Sequence, residues 1–163
     1  MQDYEGVAGK AVDGVKRWHD EMRAAGLRVT RPRLAVLAEV RDHPHADVAE
    51  IAAGARGRLG ALSTQAVYDA VHVLTQAGLL RCVELAGSPA RFELQTGDNH
   101  HHAVCRSCGA IADIGCVAGA APCLHSAPAG DGVGYLIDEA EVTFWGICPD
   151  CQVRNSPTDW RSA

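Results

Sequence analysis

Four cysteines in two C-x-x-C pairs, Cys105-Arg106-Ser107-Cys108 and Cys148-Pro149-Asp150-Cys151, hold the most specific chemistry in this chain. Two intervening residues let both sulfurs of a pair turn onto one cation, at Zn–S distances of about 2.3 Å. Two such clamps complete an all-thiolate tetrahedron with no open position, so the expected site is structural rather than catalytic. Buried or redox-active thiols are the competing reading. Just upstream stand Asn99-His100-His101-His102. Imidazoles beside a closed thiolate site suggest a second, exchangeable metal, against the plainer alternative of a surface histidine run. In a strand, His101 points away from His100 and His102; it is expected to face solvent or to join a further site. Cys82, Cys116 and Cys123 lie outside the two pairs. They read either as core packing or, for Cys116-x6-Cys123, as a redox pair.

These residues need elements to position them. Val12, Val15, Trp18, Met22 and Ala25 are spaced for one apolar face, which predicts a helix over 11–25, ended at Gly26. Thr30-Arg31-Pro32 is a helix start, and Leu34, Val36, Leu37 and Val40 give that helix its apolar side. After the break at Asp42-His43-Pro44-His45, Asp47 can cap a third helix through Ile51 to Arg58. Ser63 caps a fourth, with Ala66, Val67, Ala70, Val71 and Leu74 as its stripe and Gly78 as its stop. Two β-like runs follow, Leu79–Leu85 and Arg91–Gln95, joined by a Gly-Ser-Pro turn.

Helices followed by a hairpin spell a winged helix-turn-helix, with the fourth helix in the major groove and the hairpin along the backbone. Beyond it, short strands are expected near 102–104 and 110–114, a small-residue helix near 117–125, and a strand over 135–147. The expected fold class is α+β: a winged helix-turn-helix, then a small C-terminal α/β dimerisation domain with structural zinc. The expected boundaries are 1–95 for the DNA-binding domain, 96–99 for a hinge, 100–153 for the dimerisation and metal-binding domain, and 154–163 for a tail. So small a second domain has a thin core, and zinc or a two-fold pairing of sheets would supplement it.

Composition narrows the class. No apolar run reaches membrane-spanning length and no secretory leader pattern is present, so the expected location is cytoplasmic, with no membrane partner. Seven cysteines in a reducing compartment read as ligands or redox thiols. The net charge of −5 is uneven. Residues 1–95 hold 12 Lys/Arg against 12 Asp/Glu, and residues 96–163 hold 3 against 8. Arg23, Arg28, Arg31 and Arg33 cluster without an intervening acid, either a solvated face or a phosphate-binding patch.

The chain resembles the ferric uptake regulator family of metal-dependent repressors over roughly residues 20–151. The motifs that carry the resemblance are Gly26-Leu27-Arg28-Val29-Thr30-Arg31-Pro32-Arg33, Ser63-Thr64-Gln65-Ala66-Val67-Tyr68, Ala77-Gly78-Leu79, Arg91-Phe92-Glu93, the histidine run, both C-x-x-C pairs and Trp145-Gly146-Ile147-Cys148. Gly97-Asp98-Asn99-His100-His101-His102 and Ala121-Pro122-Cys123-Leu124 look like its FurA/CatR branch, whose members typically repress a neighbouring catalase-peroxidase gene.

The resemblance implies a homodimer that binds a palindromic, A/T-rich double-stranded DNA operator when metal closes it. It implies structural zinc on Cys105, Cys108, Cys148 and Cys151. The regulatory metal would sit on His43, Glu93, His100, His102 and Asp113, with Fe2+ favoured and Mn2+, Ni2+ or Zn2+ as alternatives. DNA contacts would come from Arg23, Arg28, Arg33, Thr64, Gln65 and Tyr68. Asp69 stands where many members have arginine or asparagine, so base preference is expected to differ. Cys116 and Cys123 remain candidates for oxidant sensing. A nickel- or zinc-responsive regulator is the alternative within the class. A metalloenzyme built on His100, His102 and a carboxylate is the alternative outside it, with no acid/base motif or phosphate-binding loop to support it.

Overall fold

The computed structural model describes residues 6–85, 87–97, 100–115 and 142–154, with side chains from residue 14 onward. The chain divides into two compact units, Met1–Thr96 and Gly97–Ala163.

The first unit opens with α1 (Gly6–Ala24), which starts earlier than the apolar spacing predicts. Trp18 and Met22 are buried as expected, whereas Val15 is 40% exposed and Ala25 lies beyond the helix end. Gly26 adopts φ +70, and the Leu27 amide donates to the Met22 carbonyl at 2.7 Å, closing the helix on a left-handed residue. α2 (Arg31–Asp42) starts after Thr30, whose extended backbone marks the boundary although its side chain makes no cap bond. Asp47 caps α3 (Val48–Leu59) in a reciprocal box with Glu50, and the Ser63 side chain caps α4 (Thr64–Gln76) through the Ala66 amide. Val36, Leu37, Val40, Ile51, Val67 and Leu74 from the three helices are fully buried together.

The hairpin strands are β2 (Leu80–Val83) and β3 (Arg91–Leu94), paired antiparallel. Sequence periodicity missed a third member, the two-residue strand β1 (Ala46–Asp47). It sits between α2 and α3 and pairs with β3, giving the order β1-β3-β2. Three helices and this sheet make the first unit a winged helix-turn-helix.

The described part of the second unit is a three-stranded sheet of order β5-β4-β6 followed by one short helix. β4 (His100–Cys105) is longer than expected and takes in all three histidines. β5 (Ile111–Gly115) runs antiparallel to it, β6 (Thr143–Gly146) parallel, and α5 (Pro149–Arg154) closes the unit. The helix expected near 117–125, the strand residues 135–141 and the tail from 155 on lie outside the described residues.

Candidate metal centres and nucleic-acid interface

β4 delivers Cys105 at its C-terminal end, and a tight turn returns the chain for Cys108. In that turn the Gly109 amide donates to the Cys105 carbonyl at 2.9 Å, and Gly109 takes φ +73. The Arg106 amide donates to the Gly146 carbonyl at 2.8 Å, which lashes the end of β6 alongside and brings in Cys148. α5 then places Cys151 in its first turns. All four sulfurs lie within 4.8 Å of one another, and Cys108 Sγ is 3.6 Å from Cys148 Sγ. A tetrahedral zinc thiolate with bonds of about 2.3 Å needs sulfur–sulfur edges of roughly 3.8 Å, so the residues fit that ion.

The protonation pattern fits as well. A hydrogen bond from the Cys148 amide, at 3.3 Å, stabilises the Cys105 thiolate and brings its pKa down to about 6. The Ser107 hydroxyl lowers Cys151. At Cys108 the Ala110 amide favours the thiolate, but the Cys105, Cys148 and Cys151 sulfurs outweigh it and push the pKa up to about 12. Four sulfurs this close cannot all carry charge without a cation among them, and a bound cation displaces the last proton.

Each unit also holds a histidine–carboxylate pair. In the first, Ala46 faces Phe92 and Asp47 faces Arg91 across the antiparallel β1/β3 register, which sets His45 opposite Glu93. His45 Nε2 lies 3.0 Å from Glu93 Oε2, and both side chains are buried. Among the described residues His45 is the one non-glycine with positive φ, at 63°. It is held there by its amide donating to the Phe92 carbonyl at 2.9 Å and by Arg91 donating to its own carbonyl at 3.4 Å. A strained backbone locked from both sides is characteristic of ligand clamps.

His43, the histidine expected from the sequence, is placed elsewhere. It is exposed, and its Nδ1 sits 2.7 Å from the buried carboxylate of Glu39. That carboxylate also receives Arg58 Nε at 2.9 Å, and Arg58 reaches Asp42 at 2.7 Å. His43 thus belongs to an ion-pair cluster joining α2 and α3. His45 was missed because its link to Glu93 spans 48 residues, and no local spacing reports it.

In the second unit His102 and Asp113 are register partners on β4 and β5, with His102 Nε2 3.8 Å from Asp113 Oδ1. His102 is fully buried. His100 shares its strand face, as the period-two alternation requires, with ring centroids 5.2 Å apart. His101 turns the opposite way, as expected, but not into solvent: it is buried, its ring 6.0 Å from that of Phe144.

The residues expected to meet DNA lie on the surface of the first unit. Thr64, Gln65 and Tyr68 are exposed on α4, Tyr68 at 52%. Arg56 Nη2 donates to the Thr64 hydroxyl and Arg56 Nε to the Leu62 carbonyl, which sets the turn leading into α4. Gln65 donates to Asp69 at 2.8 Å, so its amide nitrogen faces the carboxylate and its oxygen turns away. Arg23 and Arg28 are exposed, while Arg33 is half-buried and donates to the Arg28 carbonyl at 2.5 Å. Cys82 packs half-buried against the core. Cys116 and Cys123 lie outside the described residues.

A winged helix-turn-helix followed by a four-cysteine unit, with a histidine–carboxylate pair in each, defines a class of DNA-binding regulators rather than enzymes. The chain belongs to the ferric uptake regulator family, whose model matches residues 24–117. It is 52% identical over 145 residues to the transcriptional regulator FurA of Mycobacterium tuberculosis, covering 89% of this chain and 97% of that one. To ferric uptake regulation protein 1 of Mycolicibacterium fortuitum it is 54% identical over 124 residues, 76% of this chain and 75% of the relative. The fold matches the Helicobacter pylori ferric uptake regulator, described as having three functional metal-binding sites, with a TM-score of 0.64 at 18% identity over 97% of this chain and 100% of that one. No helix among the described residues is long and apolar enough to cross a membrane.

Proposed function

We propose that this protein is a cytoplasmic, homodimeric repressor whose grip on a palindromic, A/T-rich operator depends on a divalent metal, with Fe2+ the physiological ion. The observation that carries this reading is the His45–Glu93 pair, a buried chelating edge built into the sheet of the DNA-binding unit itself. Its spacing of 3.0 Å suits two neighbouring ligands of an ion with bonds of about 2.1 Å. Zinc occupies the four-cysteine site and stays there, because four thiolates leave no position for exchange. The residues that would hold the regulatory ion are His45 and Glu93, with His100, His102 and Asp113 as the family resemblance implies. His45 stands in that set where the sequence alone suggested His43.

When bound, the ion would supply positive charge shared among these carboxylates and imidazoles. The chain does the rest. β1 and β3 hold His45 against Glu93, and β4 and β5 hold His102 against Asp113. Such a ligand shifts DNA affinity only by its preference for the DNA-competent form. Mixed imidazole and carboxylate donors suit Fe2+, Mn2+ or Zn2+. An imidazole-rich nickel site draws no support from His101, which packs on Phe144.

At the operator, α4 offers Gln65 and Tyr68, and Arg23 and Arg28 reach the backbone. Control of a catalase-peroxidase gene and release by peroxide through Cys116 and Cys123 complete the reading. The experiment is anaerobic purification, metal analysis, and anisotropy binding of operator duplex with each metal in turn. Equal affinity with and without every divalent ion would overturn it.

A further inference from the structure

Glu93 lies on the central strand of its sheet, and each of its two oxygens has a different neighbour. From β1, His45 Nε2 approaches Oε2 at 3.0 Å. From β2, Arg81 Nη1 approaches Oε1 at 3.5 Å. Arg81 and Glu93 are register partners across the β2/β3 pair, so both side chains stand on one face of the sheet. The arginine is 16% exposed and the glutamate 6%, a site where charge is weakly screened. Two strands thus pinch one carboxylate from either side.

A carboxylate can give a metal one oxygen or two. Two-oxygen ligation suits larger, oxygen-preferring cations, whereas imidazole-rich sets suit Zn2+ and Fe2+. An ion entering along the His45–Glu93 edge meets Oε2. To take Oε1 as well, it would have to displace a guanidinium, which cannot be deprotonated and repels a dication. We propose that Arg81 is a positioning residue that confines Glu93 to one-oxygen ligation and so biases the regulatory site against Mn2+ and toward Zn2+ and Fe2+. The proposal rests on the reading that Glu93 is a ligand of that site.

A merely structural arginine, present to neutralise a buried acid, would behave differently. Its loss would weaken the fold and lower the affinity for every metal alike. The two roles separate in a ratio. Full-length protein with zinc retained in the four-cysteine site is titrated against a chromophoric competitor with Mn2+, Zn2+ and, anaerobically, Fe2+. In Arg81→Leu the Mn2+-to-Zn2+ affinity ratio should rise roughly tenfold, within the range typical of outer-shell changes. Arg81→Lys, which keeps the charge but not the planar fork, should restore stability and leave the ratio in between.

The Mn2+ resonance spectrum of the Leu variant should also change from the parent's as the second oxygen enters. A ratio unchanged within about twofold, with all affinities falling together, would overturn the proposal, since selectivity in such sites comes from geometry and ligand type. Glu93→Gln keeps the failures apart. If it leaves second-site metal binding intact, Glu93 is no ligand and both readings fall. If it abolishes binding while Arg81→Leu leaves the ratio alone, only the role of Arg81 falls.

Discussion

At the scale of single residues, two histidines two positions apart have opposite fates. His43 is exposed and rides on Glu39; His45 is buried, strained and pressed to Glu93. Alanine at each position should separate them. His45→Ala is expected to keep the zinc and the fold but weaken regulatory-metal binding by at least the roughly 10–100-fold typical of a lost outer-shell partner. Metal-stimulated operator binding should vanish with it. His43→Ala should keep both and shift stability by only about 0.5–1.5 kcal/mol, the loss of one hydrogen bond from a carboxylate that keeps Arg58. Isothermal titration and duplex anisotropy on the two variants decide, and a reversed outcome would return His43 to the ligand set. The cysteines permit a blunter test. Cys105→Ser or Cys148→Ser should lose zinc and with it the cooperative unfolding of the second unit, because structural zinc contributes folding free energy directly. A zinc-free serine variant with the parent's melting curve would contradict a structural role.

At the scale of elements, the stops and starts were legible because they are local. Gly26 and Gly78 end helices in left-handed conformations, and Asp47 and Ser63 accept from the amides they were expected to cap. The C-x-x-C clamps were legible for the same reason. What stayed hidden depends on pairing across distance. β1 has two residues, too short for any periodicity, yet its register with β3 selects the histidine that meets Glu93. The burial of His101 depends on Phe144, 43 positions away in sequence. Gly54 is another such case. In α3 it looks like an ordinary small residue, but a β-carbon there would run into the Glu39 carboxylate. Gly→Ala inside a helix normally stabilises by about 1 kcal/mol. Here it should instead destabilise by about 1–3 kcal/mol, since a buried carboxylate would be driven off Arg58 and His43. In a Glu39→Ala background the same change should become neutral or stabilising. Denaturant midpoints for the four proteins form the cycle, and additive effects would mean that Glu39 and Gly54 do not touch.

At the scale of the whole molecule, charge is divided by function. The residues through 95 are balanced overall and gather Arg23, Arg28, Arg31 and Arg33 in one stretch, while those from 96 hold the acidic excess. DNA binding should therefore be strongly salt-dependent despite the net charge of −5, because counterion release follows local phosphate contacts. Arg28→Ala should flatten the slope of log affinity against log salt by about one unit, and Tyr68→Ala should instead reduce discrimination between operator and random duplex. Identical behaviour of the two variants on both measures would displace the proposed reading head. Mild peroxide should release the operator, and a Cys116→Ser, Cys123→Ser double variant should resist release while still binding metal. Added oxygen on a histidine peptide, with both thiols still reduced, would move the sensor to the metal site. Strand β4 ends in Cys105, one of the four clustered cysteines, and holds His102 three residues earlier. At about 3.3 Å per residue, the two donors stand roughly 10 Å apart along one strand. If zinc holds that cluster, as proposed, a chelator strong enough to extract it would unfasten the same strand that presents His102. Loss of response after harsh chelation is therefore ambiguous evidence about the exchangeable ion. Only a graded series of chelators, with zinc counted at each step, can tell an emptied sensor from a broken one.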